Sequence, residues 1–181
     1  INEAFNEHFP DSPFTRIPDL SLEEGGELLD TWLRSGNRTL QQDQRAVLLE
    51  GFRQCPRPQY LRLAVALSTA WTSNGPVEPT RFPKTLDDLW AVVIGRSVDE
   101  HGSLLVDSTL EYLSAARRGL SEDELINLLS SNESVLRELR RRSPQSPDIG
   151  EFPMIVWSRM AMDMEPLLAS RRVGGNVNLA L

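Results

Sequence analysis

The sequence is short of several features that would define a class of protein. Its 181 residues contain a single cysteine, Cys55, and no apolar run long enough to cross a bilayer or to act as a signal peptide. An internal disulfide is therefore excluded, and a reducing, cytoplasmic location without a membrane segment is expected. Acidic residues outnumber basic ones by 26 to 19, which gives a net charge of −7. Since proteins that bind the phosphate backbone usually carry a basic balance, nucleic acid is not expected as a partner.

Motifs for catalysis and for phosphate binding are also missing from the sequence. It contains no Gly-x-x-x-x-Gly-Lys-Ser/Thr loop, no Gly-x-Gly-x-x-Gly loop and no Gly-x-Ser-x-Gly elbow. His8 and His101 lie far apart, and no second cysteine could complete a zinc site with them. We therefore expect no catalytic residue and no metal site in this chain alone.

Helix-start patterns organise the first half of the chain. Residues 1–20 contain three prolines and form a connector rather than a long helix. Three helices should follow, because Ser21 and Glu24 stand at capping-box spacing, Thr39 and Gln42 repeat it, and Pro58 suits a first helical turn. Their apolar positions predict a small helical bundle, with Cys55 as a buried core side chain.

The second half has the order of elements of a winged helix. A proline-rich loop over 72–84 precedes a helix capped by Thr85, and further helices are predicted over 104–116, 121–130 and 154–165. Ser121 and Glu124 again form a capping box, and a hairpin over 167–173 and 177–181 follows Pro166. The predicted fold class is therefore mainly α, a small helical bundle followed by a winged-helix domain with a C-terminal β-hairpin. An ordinary helix-turn-helix corner without any nucleic-acid role is the alternative at this point.

Two further segments bear on the kind of partner. Arg137 and residues 140–142 are basic but flanked by acids, so they should form the solvated end of a helix, followed by an irregular polar insert over 143–147. The predicted helix over 154–165 is rich in methionine and has Arg159 as its single basic residue. A DNA-reading helix needs several basic or amide side chains, so this helix should pack against protein, either in the core or at an adaptable interface.

The two ends of the sequence suggest a piece of a longer polypeptide. It begins at Ile1, and it stops at Leu181 within an apolar, strand-like run. We expect that the natural chain continues and that the missing parts carry whatever chemistry the parent protein performs.

The ordered set of these motifs resembles the STAND class of regulatory ATPases, in particular the NACHT-type modules of nephrocystin-like, telomerase-associated and bacterial repeat proteins. The resemblance covers nearly the whole chain. It is carried by Leu20-Ser21-Leu22-Glu23-Glu24, Trp32-Leu33, Cys55-Pro56-Arg57-Pro58-Gln59-Tyr60-Leu61-Arg62-Leu63-Ala64, His101-Gly102, Leu113-Ser114-Ala115-Ala116-Arg117-Arg118-Gly119-Leu120-Ser121-Glu122-Asp123-Glu124-Leu125, Val156-Trp157-Ser158-Arg159 and Met164-Glu165-Pro166-Leu167-Leu168.

The resemblance implies a domain order and a ligand. Residues 1–20 would be the end of the NTPase core, 21–83 the helical domain, and 84–181 the winged-helix domain. In this class the two later domains fold over bound ADP and hold the protein inactive, and Pro58 matches the proline that packs on the adenine ring. The alternative for Pro58 is a helix-start proline that contacts no ligand.

The function implied by the resemblance is regulatory. The chain would be the helical and winged-helix segment of a signalling ATPase that closes over bound ADP or ATP and couples nucleotide state to oligomerisation. Its partners would be the upstream nucleotide-binding domain, which holds ATP or ADP with Mg, further copies on activation, and a downstream repeat or sensor domain. ATP hydrolysis would belong to the parent, and this fragment alone would not be an enzyme. The rival hypothesis is a winged-helix protein-interaction or DNA-binding adaptor without nucleotide dependence.

Overall fold

The computed structural model describes residues 18–72, 82–143, 150–173 and 176–181. These residues form a chain of helices that ends in a two-stranded antiparallel sheet. The elements are α1 (Leu22–Ser35), α2 (Gln42–Gln54), α3 (Pro58–Ser68), α4 (Leu86–His101), α5 (Ser103–Ala115), α6 (Glu122–Ser131), α7 (Glu133–Arg142), α8 (Met154–Met164), β1 (Ala169–Val173) and β2 (Asn176–Ala180). The mainly α fold class with a C-terminal hairpin is confirmed.

The first three helices pack on one another as a small bundle, as predicted. α4 packs against α3 on one side and against α5 and α8 on the other, so it joins the bundle to the later helices. One cluster of buried apolar side chains extends from α1 to the turn after α8. The predicted division at residues 83 and 84 stays a prediction.

The hairpin completes the winged helix. β1 and β2 pair from Ala169 with Ala180 to Val173 with Asn176. Leu120 forms a further antiparallel bridge with Leu179, with N–H to carbonyl distances of 2.9 and 2.7 Å. Gly119 makes this approach possible, since its φ of +73° and the nearby carbonyl of Leu179 leave no room for a β-carbon. The segment before α6 is thereby fastened to the wing.

Several predicted helix starts are confirmed at the level of individual hydrogen bonds. Ser21 and Ser121 each accept from the backbone N–H three residues later, and Glu24 and Glu124 accept in return from the serine N–H at 2.7 and 2.8 Å. Thr85 caps α4 in the same way through the N–H of Asp88. Local sequence alone therefore determines where these helices begin.

One expectation about a helix start was wrong. α2 begins at Gln42 with Gln41 as its cap, so Thr39 and Gln42 are not the capping pair; Gln44 accepts from the N–H of Gln41 at 3.1 Å instead. The amide of Gln44 also donates to the carbonyl of Thr72 at 3.0 Å, and this long-range contact favours the later start.

The arginine-rich helix end is confirmed, but the helix that it ends is a separate element. α7 starts afresh after Asn132, whose Oδ1 accepts from the N–H groups of Ser134 and Val135. The three basic residues 140–142 form its last turn, where they complement the helix dipole. Most of the predicted connector and of the proline-rich loop, and nearly all of the polar insert over 143–147, lie outside the described residues.

The two serine–glutamate capping boxes, Ser21 with Glu24 and Ser121 with Glu124, predict that the stability of the protein depends on pH. The hydrogen bond from the backbone N–H of Ser21 or Ser121, followed by that from the serine side chain, lowers the pKa of Glu24 and of Glu124 below the ordinary value. A carboxylate with a lowered folded-state pKa contributes stability above its unfolded-state pKa, and this contribution is lost as the pH falls through the folded-state value. We therefore expect a Glu24→Gln, Glu124→Gln double variant to lose less stability in acid than the natural sequence.

The measurement is the urea unfolding midpoint at neutral pH and well below the ordinary glutamate pKa. Glutamine fills the same capping position without titrating, so the helices remain capped. An equal loss of stability in acid by the natural protein and the double variant would contradict the lowered pKa values of Glu24 and Glu124.

Candidate functional site

Pro58, the predicted adenine contact, is the first residue of α3 and is exposed. Arg57, also exposed, is its N-cap, and Pro56 precedes it in an extended loop. The N–H of Leu20 donates to the carbonyl of Pro56 at 3.3 Å. The end of the predicted connector thus lies against the loop that leads into Pro58. Whether Pro58 contacts a nucleotide stays a prediction.

Tyr60 anchors the first turn of α3 behind Pro58. Its ring is fully buried, and its hydroxyl donates to the carbonyl of Pro83 at 2.7 Å. Burial raises the pKa of the Tyr60 phenol, with a smaller contribution from Cys55, so the hydroxyl stays a donor at every physiological pH. Cys55, predicted as a buried core side chain, is only half-buried and packs against the edge of the core. The first turn of α3, which Pro58 begins, is therefore held to the core through Tyr60.

Arg62 lies one turn after Pro58 and reaches the end of α8. Its Nη2 donates to the carbonyl of Glu165 at 3.0 Å, to Oε1 of the same residue at 3.0 Å, and to the carbonyl of Leu168 at 3.1 Å. These contacts join residues more than 100 positions apart in the sequence. This role of Arg62 was not predicted from the sequence, although the i to i+4 spacing from Pro58 places both residues on one face of α3.

A second polar contact joins α4 to α8. His101, the last residue of α4, places its Nε2 2.7 Å from Oδ2 of Asp163. The His101 side chain is 8% exposed, whereas that of Asp163 is 53% exposed. The contact sets the position of α8 along the axis of α4.

A cleft of about 980 Å³ lies between α1, α3, α4 and α8. Trp32 and Val93 contribute apolar walls, and Arg62 and Glu165 lie at the junction. The cleft lies between the helical bundle and the winged-helix part, on the side where Arg62 contacts Glu165. It brings residues of the bundle and of the winged helix to one place.

α8 divides its apolar side chains between the core and the surface. Trp157, Met160 and Met164 are buried. Met154, Ile155 and Met162 are exposed, with exposed fractions of 51, 62 and 77%. The helix that would enter a DNA groove in a DNA-binding winged helix therefore presents an apolar surface beside Arg159.

Other classes of site receive no support from the described residues. Within the described ranges, no group of three or more His, Cys, Asp or Glu side chains could hold a metal ion. His8 lies outside these ranges. Among the described helices, none is both long and apolar enough to cross a membrane.

Comparison with known proteins agrees with this architecture. The family described as "NWD1-like, winged helix-turn-helix domain" matches residues 82–176. The chain is 32% identical over 171 residues to "NACHT domain- and WD repeat-containing protein 1" of Mus musculus and 31% identical over 169 residues to the protein of that name in Homo sapiens. It is 24% identical over 136 residues to "NACHT and WD repeat domain-containing protein 2" of Mus musculus. No solved structure matches significantly.

These alignments cover 94, 93 and 75% of the chain but 11, 11 and 8% of the respective relatives. The fold and the comparisons define the class as a winged-helix segment similar to part of NACHT-type proteins, which confirms the resemblance found in the sequence. More narrowly, the chain belongs to the NWD1-like winged helix-turn-helix domain family. It spans about a tenth of the length of its first curated relatives.

Proposed function

We propose that this chain is the regulatory segment of a NACHT-type signalling ATPase, which closes over bound ADP or ATP and couples nucleotide state to self-association. The observation that carries the proposal is the position of Pro58 at the exposed start of α3. The Leu20 to Pro56 hydrogen bond supports it, because it holds the end of the predicted connector from the nucleotide-binding core beside that proline.

The chemistry of Pro58 suits contact with a base. A pyrrolidine ring has no N–H, so an aromatic base can lie against it without leaving a donor unpaired. Its fixed φ suits the first helical position, and the buried Tyr60 behind it limits movement. Such a contact would contribute orientation and apolar surface rather than phosphate binding.

The remaining parts of the proposal concern the whole protein. The upstream domain would hold ATP or ADP with Mg and would perform any hydrolysis. Further copies would be partners on activation, and a downstream repeat or sensor domain would receive the signal; the names of the relatives include WD repeats. We place the protein in the cytoplasm, in keeping with its single cysteine.

Pro58→Ala should lower the nucleotide content of the full-length protein. We expect ADP close to one per chain in the natural protein and about tenfold weaker retention in the variant, equivalent to about 1.4 kcal/mol. Alanine is a good helix former, so α3 should persist. The measurement is chromatographic quantification of the nucleotide that denatured protein releases after exhaustive dialysis.

Pro153→Ala is the matched control, since Pro153 also lies at a helix start, as the N-cap of α8. It should leave the nucleotide content unchanged. Absence of nucleotide from the natural protein, together with one oligomeric state in ADP and in ATP analogues, would refute the proposal.

A second candidate is a protein-interaction adaptor without nucleotide dependence. The exposed side chains of Ile155 and Met162 favour it, because they offer an adaptable apolar surface. Binding of DNA fits less well, since Arg159 is the single basic residue of α8. A salt-dependent gel shift with the full-length protein would be needed to support the hypothesis of DNA binding.

A further inference from the structure

The contact of Arg62 with the end of α8 is directed mainly at the backbone. Two of its three acceptors are the carbonyl oxygens of Glu165 and Leu168, which lie in the turn between α8 and β1. The three contacts form together only when this turn has its present shape and lies beside α3. The contacts of the Arg62 guanidinium therefore depend on the backbone conformation of this turn and not only on the charge of Glu165.

The side-chain ion pair is the weaker part of this contact. The side chains of Arg62 and Glu165 are 41 and 70% exposed, and exposed ion pairs contribute little. Hydrogen bonds from a charged donor to carbonyl oxygens are stronger than neutral ones. The main effect of Arg62 should therefore survive removal of the Glu165 side chain.

Arg62 also shares a helix face with Pro58. Residues four apart lie one above the other, and helical side chains lean towards the N-terminus, so the stem of Arg62 lies over the turn that Pro58 begins. A change in position of this turn moves the arginine with it. The hydrogen bond between His101 and Asp163 does not depend on Arg62, because it joins α8 to α4 and not to α3.

We propose that Arg62 is a positioning residue that fastens the turn after α8, and hence the hairpin, to the helix that begins at Pro58. Loss of the fastening would release the turn after α8 and the adjoining strand β1 from α3, while α8 stays packed on α4 and β2 stays bridged to Leu120. The further step, that a nucleotide at Pro58 controls this release, rests on the proposed function.

Amide hydrogen exchange in the full-length protein tests the fastening. In Arg62→Ala, we expect exchange over residues 165–173 to accelerate about tenfold, while exchange in α1 and α2 is unchanged. Glu165→Ala should have a much smaller effect, because both carbonyl acceptors remain. Arg159→Ala removes the same charge from an exposed position on α8 and should leave residues 165–173 unchanged.

The outcomes separate the fastening from the proposed function. Unchanged exchange over 165–173 in Arg62→Ala would overturn the proposal, as would an equal effect of Glu165→Ala. If Arg62→Ala also accelerates exchange in α1 and α2, Arg62→Met decides, because it keeps the apolar stem of the side chain but removes every hydrogen-bond donor. Accelerated exchange confined to 165–173 then supports the proposal, and unchanged exchange overturns it.

The coupling is tested by the same exchange measurement with ADP and with an ATP analogue. We expect the two nucleotides to give different exchange over 165–173 in the natural protein and the same exchange in Arg62→Ala. If the protein retains no nucleotide, the proposed function fails, and the variants without nucleotide still decide whether Arg62 fastens the turn. If nucleotide is retained but the difference persists in Arg62→Ala, the coupling through Arg62 fails.

Discussion

Replacing Gly51 with alanine should lower the free energy of unfolding by about 3 kcal/mol. Gly51 is buried on α2, and a β-carbon there would overlap the hydroxyl of Tyr60 on α3. Since Tyr60 is fully buried and donates to Pro83, it cannot move without losing that hydrogen bond. The cost therefore combines overpacking with an unpaired buried hydroxyl. Urea unfolding followed by far-ultraviolet circular dichroism measures it.

Gly95→Ala is the matched control, because nothing lies within 4 Å of a β-carbon built on Gly95 in the middle of α4. It should stabilise the protein by about 0.5–1 kcal/mol. Adding Tyr60→Phe to Gly51→Ala should recover part of the loss, since the hydroxyl that the methyl group strikes is then absent. If the two substitutions combine additively, the overlap is not the cause of the destabilisation.

The elements that could be predicted are those that short-range chemistry determines. Ser21, Pro58, Thr85 and Ser121 each mark a helix start, because the groups that satisfy a first turn lie within three residues of it. The hairpin was predicted from turn chemistry and β-branched content, and its strands lie within the predicted ranges apart from Asn176, which β2 adds at its start.

The wrong capping pair shows where local chemistry stops being sufficient. Thr39 with Gln42 and Gln41 with Gln44 are both plausible pairs by spacing. The contact of Gln44 with Thr72, a residue 28 positions away, favours the second pair. No pattern within one turn of helix contains that information.

The candidate site likewise contains one residue that local sequence predicts and several contacts that it does not. The position of Pro58 followed from helix-start chemistry, but the meeting of Arg62 with Glu165 and of His101 with Asp163 depends on how α8 lies on α4. A sequence shows that such side chains could pair, but only tertiary packing selects their partners. The positioning role of Arg62 could therefore be recognised only once α3 and α8 were seen together.

Trp157→Ala should lower the free energy of unfolding by about 3–5 kcal/mol. Its side chain is 1% exposed and is the largest fully buried side chain of α8. Removing it would leave a cavity, which the surrounding buried residues of several helices could fill only in part. The indole Nε1 also donates to Oε1 of Glu122 at 3.3 Å, which ties α8 to the first turn of α6. Thermal and urea unfolding measure the loss.

Two further variants divide this loss into its causes. Trp157→Phe keeps most of the ring volume and removes the N–H, so it should cost less, about 1–2 kcal/mol. Met162→Ala, on the exposed side of the same helix, should change stability by no more than about 0.5 kcal/mol. Equal losses for Trp157→Ala and Met162→Ala would mean that the methionine-rich helix is not anchored by its buried side. In that case α8 could not hold the turn at Glu165 in place for Arg62, because the acceptors would move with an unanchored helix.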